Sequence, residues 1–409
     1  MTQVSYPRGK IRILLLENVH PTAAERLRAD GYTVETASGA LDEAALAERL
    51  DGVHVLGVRS KTAVTARALE RADRLLAVGA FCIGVNHIDL AACAARGAAV
   101  FNAPYSNTRS VVELAIAEII ALHRGLADRS RDLHAGTWTK SAKDAFEVRG
   151  KKLGIVGYGA IGSQLSVLAE SLGLEVHYYD QVERLALGNA RKCRTLDDLL
   201  GVADIVTLHV DGRDENTMLM GPAQFAAMKD KAIFLNLSRG HVVDLDALAA
   251  ALRSGKLLGA GVDVFPDEPH GNGEPFGPSP LQGLPNVILT PHIGGSTEEA
   301  QEAIAGFATD RLLGFLERVD TSFSVNLPNV QLAEVGGAHR LLHIHENRPG
   351  VLAGINRALA DHGANILAQH LRTSEQVGYV VTDIDREYLP ALTAALKAVP
   401  GTIRFRTLY

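Results

Sequence analysis

Three side chains of complementary chemistry stand at the ends of apolar runs in the second half of the chain: Arg239 in residues 236–240 (NLSRG), Glu268 in residues 263–269 (DVFPDEP) and His292 in residues 290–295 (TPHIGG). An imidazole titrates near neutrality, so it can take or return a hydroxyl proton at working pH. A carboxylate beside it favours the imidazolium and fixes the ring's orientation. A guanidinium offers a planar fork to a substrate carboxylate and stabilises charge on a reacting oxygen. Singly, each has a structural explanation: a satisfied strand-end histidine, a solvated acid between prolines, a surface arginine. Three such groups, each just past a strand of one domain, form a set able to move a proton while a hydride leaves the adjacent carbon.

The hydride needs an acceptor, and residues 156–162 (VGYGAIG) provide a place for one. This run follows an apolar strand and precedes a helix. Gly157 permits the tight turn, Gly159 lets backbone approach a pyrophosphate, and Gly162 allows helix and sheet to pack closely. Ala160 and Ile161 line the turn, and the pyrophosphate rests on the helix N-terminus. Eighteen residues past Gly162, the next strand ends in Asp180, whose carboxylate suits the adenosine ribose hydroxyls and repels a 2′-phosphate. Residues 181–183 (QVE) carry no cation for that phosphate, so the pattern favours NAD over NADP.

These elements require alternating strands and helices. Strands are expected at residues 11–17, 32–37, 53–58, 75–81 and 98–101, with helices between them, which predicts a parallel sheet. No glycine loop follows the first strand, so this unit is not the cofactor domain. A second α/β unit opens with an apolar helix after Ser110, contains the fingerprint, and adds strands at 204–209, 232–237, 259–264 and 287–290. A helix over 297–318 returns the chain to the first unit. Residues 319–337, with Pro328, Asn329, Gly336 and Gly337, read as a linker. Beyond them the order strand, helix, strand, strand, helix, strand is the ferredoxin-like βαββαβ signature. So small a unit has open sheet edges, and pairing with a second copy is one way to cover them. The predicted fold class is α/β, with two doubly wound parallel-sheet domains and a C-terminal βαββαβ domain. The expected boundaries are 1–107 with 296–330 for a discontinuous substrate domain, 108–295 for the dinucleotide domain and 338–409 for the last.

Composition agrees with a globular chain of two or three domains. Of 409 residues, 47% are hydrophobic and 22% charged, and the net charge of −6 gives no footprint for nucleic acid or an anionic membrane. The early apolar stretch is too short for a signal or a span, which places the chain in the cytoplasm. Cys82, Cys93 and Cys193 form no metal or disulfide pattern and read as buried structural thiols.

On the fingerprint, the 236–240 loop, the 265–269 segment, residues 290–296 and the C-terminal part, the chain resembles the D-isomer-specific 2-hydroxyacid dehydrogenases over essentially its whole length. The resemblance implies a Rossmann NAD domain and an ACT-type ligand-sensing domain. It gives Arg239, Glu268 and His292 the roles argued above and places Asp263 near the nicotinamide. It also sets Leu237, Ser238, Ile293, Gly294 and Gly295 along the cofactor. Within the family the chain is similar to the serine-pathway branch, which implies oxidation of D-3-phosphoglycerate to 3-phosphohydroxypyruvate. A doubly anionic substrate needs cations besides Arg239, and Arg59, Ser60, Lys61 and Asn107 are the candidates. For any one of them, an ordinary loop or capping role is equally compatible. By the same resemblance L-serine is the effector, held by His345, Asn347 and Asn365, with Asn347 also a candidate cap for the following helix. The chain is expected to be a homo-oligomer, a tetramer by that likeness. Trp138, the single tryptophan, is either an interface anchor or folded back on its own core. His343 and His345 share a strand face, but no third ligand completes a metal site. A glyoxylate, hydroxypyruvate or 2-oxoglutarate reductase, or an NAD(H)-sensing corepressor-like protein, remain the alternatives.

Overall fold

The computed structural model describes residues 6–269, 273–333, 339–385 and 390–408. Two compact units emerge, one built from 1–106 with 301–409, the other from 107–300. The first contains β1 (Arg12–Leu15), α1 (Pro21–Ala29), β2 (Thr33–Thr36), α2 (Glu43–Arg49), β3 (Val55–Val58), β4 (Ala77–Ala80), α3 (Leu90–Ala95) and β5 (Ala99–Phe101). The strands form a parallel sheet in the order β2-β1-β3-β4-β5. Both faces are covered, as a parallel sheet requires. Ile13 and Leu15 enter one core and Leu14 and Leu16 the other, because alternate side chains of a strand point to opposite faces.

The second unit opens with α4 (Thr108–Arg124) and α5 (Leu126–His134), separated by Gly125 in the left-handed conformation. It continues with β6 (Lys152–Val156), α6 (Ala160–Ser171), β7 (Glu175–Tyr179), β8 (Arg191–Lys192), α7 (Leu196–Val202) and β9 (Ile205–Leu208). After these come α8 (Pro222–Ala227), β10 (Ala232–Asn236), α9 (Leu245–Arg253), β11 (Leu257–Val262) and β12 (Val287–Leu289). The seven-stranded parallel sheet runs β12-β11-β10-β9-β6-β7-β8. The carriers of Arg239, Glu268 and His292 follow β10, β11 and β12, which are immediate neighbours. Helix α5 and strand β8 have no counterpart in the sequence-based expectation: α5 has no buried residue and β8 is two residues long.

Helix α10 (Glu298–Arg318) leads back into the first unit. The C-terminal module is β13 (His339–Glu346), α11 (Val351–Asp361), β14 (Ile366–Thr373), β15 (Val377–Ile384), α12 (Pro390–Lys397) and β16 (Thr402–Leu408), with antiparallel order β14-β15-β13-β16. One sheet face packs under α11 and α12 through Leu341, Val380 and Ile384. The other, with Leu342, Ile344, Tyr379 and Val381, joins the same core as Leu312 and Phe315 of α10 and Phe101 of β5. Polar hooks accompany that burial. Arg340 grips Asp383 through two 2.8 Å bonds and donates to the Arg318 carbonyl (3.2 Å). Arg406 donates to the Leu316 carbonyl (3.0 Å), Arg404 to that of Arg96 (2.9 Å), and the Tyr379 hydroxyl to that of Val319 (2.6 Å). These carbonyls sit at helix C-terminal ends or just beyond, where backbone acceptors lack intrahelical partners and cations are favoured. Gly336 and Gly337 lie outside the described residues.

One packing feature makes stability depend on pH. Glu118, on the buried side of α4, is 3% exposed and neither carboxylate oxygen has a hydrogen-bond partner among the described residues. It presses against Gly261 of β11, where a Cβ would lie 2.3 Å from Oε2. Burial first, and the negative charge of Asp263 second, push its carboxyl up to about 8. The unfolded chain releases that proton far earlier, so the folded state loses stability as pH rises from the ordinary carboxylate range to about 8. Glu118→Gln abolishes this term. Its advantage over the parent in denaturant melts should therefore grow by up to about 1.4 kcal/mol per pH unit between pH 5 and 8; parallel curves would contradict it.

Candidate active site

His292 follows the short strand β12 and adopts a left-handed backbone (φ 55°), an uncommon conformation for a residue with a Cβ. Asp263, two residues before Phe265 and 1% exposed, holds it there. Its Oδ1 accepts from the Thr290 hydroxyl (2.6 Å) and the Ile293 N–H (2.8 Å), and its Oδ2 from the Gly294 N–H (2.8 Å). Both carboxylate oxygens are therefore bound to the loop that carries the imidazole. Glu268 completes the arrangement: its Oε2 lies 2.7 Å from His292 Nδ1, and its Oε1 accepts from the Phe265 N–H at 3.1 Å. The His292 side chain keeps 49% of its surface open to solvent.

Arg239 is half-buried past the end of β10. Buried Asn236 shapes its loop, accepting from the Ser238 N–H (3.1 Å) and hydroxyl (2.8 Å) and donating to the Arg239 carbonyl (3.0 Å). The neighbouring Gly240 is pressed against the next strand end, since a Cβ there would lie 2.0 Å from the Phe265 carbonyl carbon. This contact seats the arginine loop on the segment that carries Glu268. Leu237 and Ser238 are buried. Asn107 precedes α4 without capping it, and its side chain packs against Gly295.

The electrostatics follow from the geometry. The hydrogen bond that His292 donates to Glu268 raises the His292 pKa above its ordinary value; burial opposes this, and the charges of Glu268 and Asp263 add to it. Burial alone would raise the Glu268 carboxyl. The bond to His292, its charge, the Phe265 N–H and the Arg239 charge together bring it below the usual range. The pair is thus biased towards imidazolium and carboxylate, while its exposed imidazole edge remains available to a reacting hydroxyl or carbonyl.

The glycine turn fits a dinucleotide. Gly157 has φ 91°, and a Cβ there would lie 2.6 Å from the His209 carbonyl oxygen; at Gly162 it would lie 2.3 Å from the Gly157 carbonyl oxygen. At Gly159, by contrast, a Cβ would meet open space. Gly159 is also the N-cap of α6 and supplies no side-chain acceptor, which leaves N–H groups of the first turn, including that of Ala160, for an anion. Asp180 Oδ2 accepts from the Tyr158 N–H (2.8 Å) and Oδ1 from the Val182 N–H (2.8 Å), so the acid is tied to the turn. Arg184, just beyond the three residues read for cofactor preference, brings its Nε to 3.5 Å from Asp180. A cation does stand at this corner, paired with the acid.

The other candidate residues lie in the first unit. Arg59, half-buried, and Ser60 and Lys61, both exposed, follow β3. In the C-terminal module His345 is 3% exposed and lies against Gly378, whereas Asn365 is exposed at the entrance to β14. Asn347 does not cap α11: its side chain donates to the Ser374 carbonyl (2.8 Å), and Gly350, at φ 89°, is the N-cap. The Pro349-Gly350 turn holds Asn347 three residues too early to reach the helix's free N–H groups. His343 Nε2 bonds Thr402 Oγ1 (2.9 Å), and among the described residues no cluster of three metal-ligating side chains occurs. Trp138 is not folded onto its own core, being 79% exposed. Of the cysteines only Cys93 is fully buried, and burial pushes its thiol up to about 12; Cys82 and Cys193 are half-buried.

Comparison with known proteins decides the family. The chain is 50% identical to D-3-phosphoglycerate dehydrogenase of Escherichia coli K12, with all of both chains covered. It is also 50% identical to that of Haemophilus influenzae, covering 100% of this chain and 99% of the other, and 47% identical to that of Dictyostelium discoideum, covering 99% of each. The chain belongs to the D-isomer specific 2-hydroxyacid dehydrogenases. Residues 116–294 match that family's NAD-binding domain, and residues 341–404 match an AHAS small subunit-like ACT domain. Among solved structures, a Thermus thermophilus protein is similar at a TM-score of 0.68 and 32% identity, covering 75% of this chain and 97% of that one. D-lactate dehydrogenase of Aquifex aeolicus, solved with NAD and lactic acid, is similar at 0.64 and 27%, covering 74% and 95%. The protein is an NAD-dependent dehydrogenase of this family.

The His292–Glu268 bond predicts opposite pH limbs for the two directions. Oxidation needs neutral imidazole and should rise as pH passes through the raised His292 pKa, whereas reduction needs imidazolium and should fall there. Glu268→Gln removes the main cause of the raised value. Both limbs should then move to lower pH, with kcat reduced about tenfold or more; limbs that stay in place would show that Glu268 does not control the imidazole.

Proposed function

We propose that this enzyme oxidises the 2-hydroxyl of D-3-phosphoglycerate to the keto group of 3-phosphohydroxypyruvate, the first step of L-serine synthesis, in the cytoplasm. The reading is carried by the His292–Glu268 pair beside Arg239, in a chain half identical end to end to D-3-phosphoglycerate dehydrogenases. When bound, NAD supplies the hydride acceptor. His292 takes the hydroxyl proton through its free ring nitrogen, Nε2, while Nδ1 stays on Glu268, which stabilises the imidazolium that results. Arg239 offers its fork to the substrate carboxylate and to the developing carbonyl oxygen. Asp263 contributes by holding the loop of His292. Gly157, Gly159, Ala160, Ile161, Gly162 and Asp180, with Leu237, Ser238, Ile293, Gly294 and Gly295, line the cofactor; Arg59, Ser60, Lys61 and Asn107 meet the rest of the doubly anionic substrate.

L-serine is the effector of the C-terminal module, bound by His345, Asn347 and Asn365, and the assembly is a homotetramer. Edge strand β14 supports pairing there, with Ile366 (37%), Leu367 (56%) and Leu371 (41%) exposed beside its unpaired backbone. A second surface around exposed Trp138, Leu133 and Leu126 supports another contact. No described helix is long and apolar enough to cross a membrane.

NADH oxidation measured with 3-phosphohydroxypyruvate, hydroxypyruvate, glyoxylate and 2-oxoglutarate tests the substrate. The phosphorylated acid should give the highest kcat/KM by at least about tenfold, and parity with glyoxylate would contradict the proposal. Asn365→Ala should relieve serine inhibition while uninhibited turnover stays near the parent value. If serine weakens NADH binding, NADH must weaken serine binding by the same factor, which titration calorimetry reads directly.

A further inference from the structure

Glu17, outside the catalytic set, is a buried acid in an uncommon place. It follows β1 and is 7% exposed, with φ 60°; Asn18 after it has φ 52°. Two successive non-glycine residues in the left-handed region carry a conformational cost, which persists only where surrounding structure imposes it. What the conformation achieves is a reach across to the neighbouring strand. β1 and β3 pair in parallel, so their C-terminal ends are adjacent. Glu17 Oε2 accepts from the N–H groups of Ser60 (3.1 Å) and Lys61 (3.0 Å), and Oε1 from that of Thr62 (2.8 Å). Three consecutive amides thus converge on one carboxylate, in the manner of a backbone anion nest. The carbonyl of Arg59 is held as well, by the Cys82 thiol at 3.1 Å. The Arg59 and Lys61 side chains themselves form no ion pair among the described residues.

We propose that Glu17 is a positioning residue for the reaction: it clamps the backbone of residues 60–62 so that Arg59 and Lys61 are presented, already ordered, to an anionic end of the substrate. This rests on the reading that residues 59–61 meet the substrate. The nest is filled by the protein's own carboxylate, so the three amides are closed to a substrate phosphate or carboxylate, and anion recognition at this loop belongs to the two cationic side chains. Preorganisation of this kind lowers KM because the loop's ordering is complete before the substrate arrives.

The test compares the full-length parent, Glu17→Gln and Arg59→Ala. Glu17→Gln is isosteric but removes the negative charge and, in either orientation of its amide, sets an NH2 against at least one N–H that needs an acceptor. In the parent, the amides of residues 60–62 should exchange slowly with solvent deuterium even though Ser60 and Lys61 are exposed; fast exchange there overturns the clamp without any variant. In Glu17→Gln they should exchange at least about tenfold faster, KM for 3-phosphohydroxypyruvate should rise roughly tenfold, and kcat and the Kd for NADH should stay within about twofold. Parent-like exchange and KM in Glu17→Gln overturn the inference, as does a joint loss of kcat, NADH affinity and thermal stability, which marks a merely structural residue. Arg59→Ala separates the inference from the reading beneath it. A raised KM in Arg59→Ala with none in Glu17→Gln leaves the reading standing and removes Glu17 from it. An unchanged KM in Arg59→Ala, whatever the exchange rates, removes Arg59 from substrate binding and overturns the inference that Glu17 presents it.

Discussion

The position of the reacting imidazole depends on Asp263. A buried carboxylate with no solvent around it must find its hydrogen bonds within the protein, and here they come from a hydroxyl and two backbone amides flanking His292. The resulting loop holds His292 in a left-handed conformation that its sequence alone would not favour. That orientation places Nδ1 on Glu268 and leaves the opposite edge of the ring open. Charge then follows from placement: the imidazole is biased towards its protonated form by a carboxylate it touches and by another it does not. The placement and charge of the imidazole therefore depend on Asp263, a residue whose own side chain is fully engaged within the protein.

Two buried acids at the same sheet show how differently such groups behave. Asp263 has a full complement of donors, whereas Glu118, packed beside the same strand, has none among the described residues. The first organises structure as a carboxylate. The second fits its surroundings best as a neutral acid, and its closeness to Asp263 reinforces that state. Burial alone does not decide which role an acid takes; the donors supplied by neighbouring loops do.

Much of this was legible in the sequence, because parallel sheets write themselves as apolar runs between helical stretches. The runs before Arg239, Glu268 and His292 are strands β10, β11 and β12, and their adjacency in the sheet brings the three groups to one edge. The glycine turn was legible for the same reason, each glycine answering a backbone or packing demand with a fixed spacing. Contacts between distant segments leave no periodic trace. The reach of Glu17 to residues 60–62 and the grip of Asp263 on residues 290–294 depend on which loops happen to be neighbours. Asn347 shows the converse: a suitable residue type just ahead of a helix, drawn instead to a carbonyl of the next hairpin.

The C-terminal module shares its inner face with α10 and β5, and its arginines hook the carbonyls at the ends of α10 and α3. Excising it would open the shared core, take Arg406 from the face of Phe315 and leave the carbonyls of Arg96, Leu316, Arg318 and Val319 without those donors. A shortened chain ending near residue 330 would accordingly be a sticky, aggregation-prone fragment rather than a deregulated enzyme. The outer strand and turns of the module can vary far more readily than the module can be discarded, because its inner face belongs to the core of the first unit.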